Sequence, residues 1–85
     1  MSKNKITVLL VEDEQTLAMI IKDTLEENDF IIHTASDGEE GLNLFFELHP
    51  DVLVADVMMP KMDGWQVCRE VRETSKVPII MLTAR

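Results

Sequence analysis

The chain is short of base: eight Lys and Arg stand against sixteen Asp and Glu, a formal charge of −8 over 85 residues. Neutralising nucleic-acid phosphates or anionic lipid heads takes clustered Lys and Arg. No such cluster occurs, which excludes nucleic acid and membrane surfaces as direct partners of this segment. The single cysteine, Cys68, excludes an internal disulfide. It suits a reducing compartment, and its ordinary role is that of a small buried hydrophobe. With only three glycines and three prolines, the chain is neither collagen-like nor low in complexity. No apolar run approaches the roughly 18 residues of a membrane span, and Met-Ser-Lys-Asn-Lys is not followed by a signal-peptide core. The expectation is a soluble, cytoplasmic protein.

What is present suits one small packed domain. Hydrophobic residues make up 46% and charged residues 28%, so a core can form, although a chain this short buries only roughly two-thirds of its unfolded surface. Ile6 to Val11 is a nearly continuous aliphatic run, as in a parallel strand covered on both faces. After Glu12-Asp13-Glu14, the residues Leu17, Ile20, Ile21, Thr24, Leu25 and Asn28 recur at the spacing of an amphipathic helix. Phe30 to Ala35 reads as a second strand. Ser36-Asp37-Gly38-Glu39 matches a capping box opening a second helix, which carries Leu42, Phe45 and Leu48 and ends before Pro50. Val52 to Ala55 forms a third strand ending on Asp56. Asp63 caps a third helix with Val67, Cys68 and Val71 inward, and Val77 to Leu82 is a fourth strand that tolerates Pro78 near its start. The order β-α-β-α-β-α-β with short connections predicts a doubly wound α/β fold, a parallel sheet with helices on both faces.

In such sheets functional groups gather outside the carboxyl ends of the strands, near the point where strand order reverses. The first strand ends in Glu12 and Asp13, the third in Asp56, the fourth in Thr83. Each has an ordinary explanation alone. Acids before a helix are favoured by its dipole, and Asp before a loop is a common turn residue. Jointly, at one edge of one sheet, the carboxylates would repel and raise one another's pKa unless a cation lay among them. Mg²⁺ is the natural cation, a hard ion bound by a few carboxylates, water and phosphate oxygens. A carboxylate beside it can act as a nucleophile toward a phosphoryl group.

At these residues the sequence resembles the receiver domain of bacterial two-component response regulators. The motifs are Val-Leu-Leu-Val-Glu12-Asp13-Glu, then Asp51-Val-Leu-Val-Ala-Asp56-Val-Met-Met-Pro60-Lys-Met-Asp63-Gly64, and Val-Pro78-Ile-Ile-Met-Leu-Thr83-Ala84-Arg85. The last looks most like receivers that precede a winged-helix DNA-binding domain. The resemblance implies a flavodoxin-like sheet of order 2-1-3-4. It implies that Asp56 accepts a phosphoryl group from a sensor histidine kinase, and that Glu12, Asp13, Asp56 and the backbone carbonyl of Met58 hold Mg²⁺. Thr83 would bind and sense the phosphoryl oxygen, and Pro60 and Gly64 would shape the loop after Asp56. A DNA-binding output domain would follow in the full protein.

A receiver of this kind continues with a fourth helix, a fifth strand and a fifth helix. Residues 1–85 are therefore expected to form an incomplete receiver. The phosphate-pairing lysine of the fifth strand is not supplied by Lys61, in the loop after Asp56, or by Lys76, in a turn. Without a fifth strand, Val77 to Leu82 would form an exposed edge, and self-association through it is expected. The alternative to a phosphoacceptor is thus a switch-incompetent fragment acting only in self-association or protein interaction. Two other readings fail on residues. A haloacid-dehalogenase-type hydrolase needs a second acid two residues after its nucleophile, where Met58 stands, and no Gly-rich phosphate loop follows any strand. His33 and His49 lack ligand partners at metal spacing, the methionines are scattered packing residues, and Trp65 is expected to anchor packing at a helix start.

Overall fold

The computed structural model describes residues 5–82. Seven elements alternate along the chain: β1 (Thr7–Val11), α1 (Gln15–Glu26), β2 (Ile31–Ala35), α2 (Gly38–Leu48), β3 (Val52–Asp56), α3 (Gly64–Arg72) and β4 (Ile79–Leu82). The strands form one parallel sheet of order β2-β1-β3-β4. The doubly wound layout and the strand order agree with the sequence reading. β4 starts at Ile79 rather than Val77, so Pro78 precedes the strand instead of interrupting its ladder.

The unbroken aliphatic runs are explained by two cores. Val8, Leu10, Ala18, Ile32 and Val54 pack on one face, with Ile21 and Leu25 of α1 against them. Leu9, Val11, Ala35, Phe45, Leu53, Ala55, Met59, Val67 and Val71 pack on the other, under α2 and α3. Successive residues of β1 and β3 thus enter opposite cores, as the pleat requires, and neither face can be polar. Leu9, Leu10, Val11, Leu53, Val67 and Val71 are all wholly buried. Each contributes about 1.5–3 kcal/mol of transfer free energy.

Three local expectations change. The inward side of α1 is Leu17, Ala18, Ile21 and Leu25, while Ile20 is 57% exposed. Thr24 and Asn28 also face out, their side chains donating to the Ile20 and Thr24 carbonyls. Ile20 lies about 200° around the helix from Ala18, so counting large apolar letters tilted the stripe, and the small Ala18 marked its true centre. The capping box of α2 is displaced by one residue. Asp37, not Ser36, is the N-cap and accepts from the Glu40 amide at 2.8 Å, while Glu40 reaches back to the Ser36 N–H at 2.8 Å. Asp37 takes the role because an aspartate caps at least as well as a serine and Glu40 stands three residues beyond it. The helix ends as Pro50 demands, with His49 in the left-handed region at φ 51° rather than extended.

Candidate metal centre

The sheet order places β1 and β3 side by side at its centre. Chain direction reverses across them, since β1 leads out to β2 on one side and α2 returns the chain to β3 on the other. Their register pairs Val11 with Ala55, so the next residues, Glu12 and Asp56, emerge together at the carboxyl edge. This is the switch point where open α/β sheets bind ligands.

Carboxylate oxygens of Glu12, Asp13 and Asp56 lie within 4.8 Å of one another. Glu12 and Asp56 are each 1% exposed, and Asp13 is half-buried. Backbone hydrogen bonds fix where they emerge. The Glu12 amide donates to the Ala35 carbonyl at 3.0 Å and the Val57 amide to the Leu82 carbonyl at 2.9 Å, extending the ladders on both sides. Side-chain oxygens are held as well. Glu12 Oε2 accepts from the Glu14 amide at 2.9 Å, and Asp56 Oδ1 accepts from the Met58 amide at 3.1 Å. Glu14 in turn caps α1, accepting from the Leu17 amide at 2.7 Å, so the acidic run at the end of β1 is divided between site and helix cap.

Burial raises the pKa of Glu12 above its ordinary value. The Glu14 amide partly offsets this, and the neighbouring Asp13 and Asp56 add to the rise. The fold thus holds three carboxyl groups close together, two of them out of water, at an electrostatic cost to the protein alone. A hard divalent cation relieves that cost. An all-oxygen set of three carboxylates suits Mg²⁺ better than a softer metal, which would favour His or Cys.

An open groove of about 580 Å³ adjoins the cluster, lined by Asp13, Val57, Met58, Met59, Pro60, Asp63 and Trp65. Met58 and Trp65 expose 60% and 51% of their surface. The expectation that Trp65 anchors packing is therefore corrected: it sits on the site's rim. The signal was available in the sequence, because Trp65 precedes the inward Val67 by two helical positions, about 200° around α3. Asp63 caps α3 as expected, accepting from the Gln66 amide at 2.9 Å. Lys61 is exposed and adopts a left-handed backbone, φ 69°, with its side chain lining a separate groove beside Asp37, Glu39, Met62 and Gln66. His33 and His49 stand apart from the cluster, the only group of three or more potential metal-binding side chains among the described residues. Thr83 lies outside the described residues.

Comparison with known proteins gives a consistent result. The family model described as the response regulator receiver domain matches residues 8–85. The chain is 51% identical over 82 residues to a "Probable transcriptional regulator ycf27" of Guillardia theta, covering 96% of this chain and 32% of that protein. It thus spans about a third of that relative. Among solved structures, the chemotaxis protein CheY4 of Vibrio cholerae superposes with a TM-score of 0.92 at 33% identity, covering 96% of this chain and 71% of that one. The response regulator TrrA of Thermotoga maritima, solved in complex with Mg²⁺ and beryllofluoride, superposes with a TM-score of 0.89 at 37% identity, over 94% and 70% of the two chains.

Proposed function

This chain belongs to the response regulator receiver domain family, and from that membership we propose that Asp56 is a phosphoacceptor working with Mg²⁺. The observation carrying the proposal is the convergence of the Glu12, Asp13 and Asp56 carboxylates at the β1/β3 switch point. In this reading an Asp56 oxygen attacks the phosphorus of a phosphohistidine on a sensor kinase. The phosphorus–nitrogen bond breaks as the phosphorus–oxygen bond forms, and the imidazole leaves with the bonding pair. The oxygen not held by the Met58 amide is the natural nucleophile, because a hydrogen bond to Oδ1 withdraws electron density from that oxygen and fixes the carboxylate's rotation. Glu12, Asp13, Asp56 and the Met58 carbonyl would hold the ion, whose contribution is to offset the charge of the phosphoryl group. Thr83 would donate to a phosphoryl oxygen.

The donor is a sensor histidine kinase and the setting is cytoplasmic; no described helix is long and apolar enough to cross a membrane. A DNA-binding output domain follows in the full protein, a reading supported by the transcriptional regulator of which this chain covers 32%. The described residues hold four of the five strands the family pattern implies. A second reading, self-association, is favoured by β4, which lies at the sheet's edge with Ile80 53% exposed. Incubation with Mg²⁺ and a small phosphodonor, followed by intact mass measurement, separates the two. A covalent adduct that Asp56→Ala abolishes supports the phosphoacceptor; a folded sample without adduct supports the assembly fragment.

A further inference from the structure

Gly64 is the first residue of α3 and is buried. No glycine here has a positive φ, so the backbone at position 64 is open to any residue and space alone requires glycine. A Cβ there would collide with the Asp56 carbonyl oxygen and lie 2.9 Å from the Asp56 carbonyl carbon and 2.8 Å from Met81 Cε. The methionine tip can swing aside. The Asp56 peptide cannot move without carrying its carboxylate with it.

The seat is fastened from both ends. The Gly64 amide donates to the Val57 carbonyl at 3.2 Å, and Asp63 caps the helix turn that Gly64 begins. Behind that turn Val67 and Val71 are wholly buried, so α3 cannot easily back away. The other two glycines also mark close approaches, but to different targets. A Cβ on Gly38 would meet the Met62 carbonyl oxygen at 2.7 Å, and one on Gly41 the Val11 Cγ2 at 2.7 Å. Only Gly64 bears on the backbone of a carboxylate in the cluster.

We propose that Gly64 is a positioning residue. Its missing side chain lets the first turn of α3 rest on the Asp56 peptide and so sets where the Asp56 carboxylate stands relative to Glu12 and Asp13. The proposal rests on the reading of those carboxylates as an Mg²⁺ site. Cation affinity then depends on residue 64 although residue 64 supplies no ligand, in the way that groups behind a ligand commonly govern affinity by tenfold or more.

The test compares Gly64→Ala with Gly38→Ala, which also meets a backbone oxygen, somewhat less closely and away from the cluster. Both variants are expected to melt lower than wild type. By calorimetric titration with Mg²⁺, Gly64→Ala is expected to bind about tenfold more weakly, and Gly38→Ala like wild type. Adding Met81→Ala to Gly64→Ala relieves the contact with Met81 alone and is expected to leave the defect in place. Equal Mg²⁺ affinity in Gly64→Ala and wild type, equal losses in both glycine variants, or rescue by Met81→Ala would overturn the proposal.

Should Gly64→Ala fail to fold, Asp63→Ala and Asp63→Asn replace it. Both remove the charge, but only Asn keeps the cap that seats the turn, so Asp63→Ala is expected to bind Mg²⁺ more weakly than Asp63→Asn. Equal binding would overturn the proposal. If wild type itself fails to bind Mg²⁺, the metal reading falls, and hydrogen exchange of the Met58 amide in Mg²⁺-free buffer judges Gly64 separately. Faster exchange of that amide in Gly64→Ala than in Gly38→Ala supports the positioning role, and equal exchange refutes it.

Discussion

The Met58 amide donates to Asp56 Oδ1 at 3.1 Å while 60% of the Met58 surface stays exposed. The residue acts on its neighbour through backbone alone. This separates two substitutions that a residue count would treat alike. Met58→Ala keeps the amide and is expected to leave phosphoryl acceptance by Asp56 within about twofold, because an exposed side chain here packs against little. Met58→Pro removes the donor, and a hydrogen bond to a charged group is worth about 1.5–3 kcal/mol. Intact-mass time courses with a small phosphodonor should show adduct formation lost or at least tenfold slower in the proline variant alone.

Glu12 supplies a pH dependence whose sign follows from its raised pKa. The folded state holds this proton more tightly than the unfolded chain does. Its contribution to stability is therefore full below the ordinary value of 4.5 and is lost as pH rises through the higher folded pKa. At neutral pH the ionised Glu12 weighs against the fold. Glu12→Gln should then raise Mg²⁺-free stability, since it removes a buried charge, and abolish most of the stabilisation that Mg²⁺ gives wild type. Urea melts at neutral pH with and without Mg²⁺ check both halves, and a variant less stable than wild type in Mg²⁺-free buffer would contradict the first.

How much of this could be read from the letters depends on where the deciding interaction lies. The two-sided burial of β1 and β3 was legible in their unbroken aliphatic runs, whereas the sheet order, which brings Glu12, Asp13 and Asp56 to one edge, was legible only through the family resemblance. The inward arc of α1 was not legible, because Ala18 is small and its burial depends on how closely the helix approaches the sheet. The shift of the α2 cap from Ser36 to Asp37 was a contest between two good caps one residue apart, decided by which side chain accepts from the Glu40 amide, while the Glu40 carboxylate turns back to Ser36. The place of Trp65 on the groove's rim follows from helical phase once Val67 and Val71 are inside. The role of Gly64 was hidden for a different reason: its partner is the backbone of Asp56, and no side-chain pattern reports a contact between helix and peptide.

Trp65 is the chain's single tryptophan, and it shares a groove with Asp13. A cation drawn to the cluster changes the field at the indole, so saturable change in tryptophan fluorescence on adding Mg²⁺ is expected. Asp13→Asn should shift the midpoint at least tenfold to higher Mg²⁺, as removal of one charged ligand from a small set demands. A fluorescence change of equal midpoint in that variant would mean the indole responds to something other than this site.

The edge strand yields the last prediction. β4 pairs with β3 on one side only, leaving a row of unpaired backbone donors and acceptors along its other side, and Ile80 adds 53% of its own surface to the exposed strip. Such an edge is a template for another strand, and proteins block it with charge, above all lysine. Val77, Ile79, Met81 and Leu82 are only half-buried beside the two cores, so a second β4 laid against the first would cover apolar surface as well as complete the ladder. The 85-residue chain is therefore expected to sediment as a dimer or larger species at micromolar concentration, and Ile80→Lys to return it to a monomer with its circular dichroism unchanged. A wild-type chain that sediments as a monomer would remove the edge as an association surface. Association that persists undiminished in Ile80→Lys would move it elsewhere, with exposed Ile31 on the opposite edge strand β2 as the next position to test.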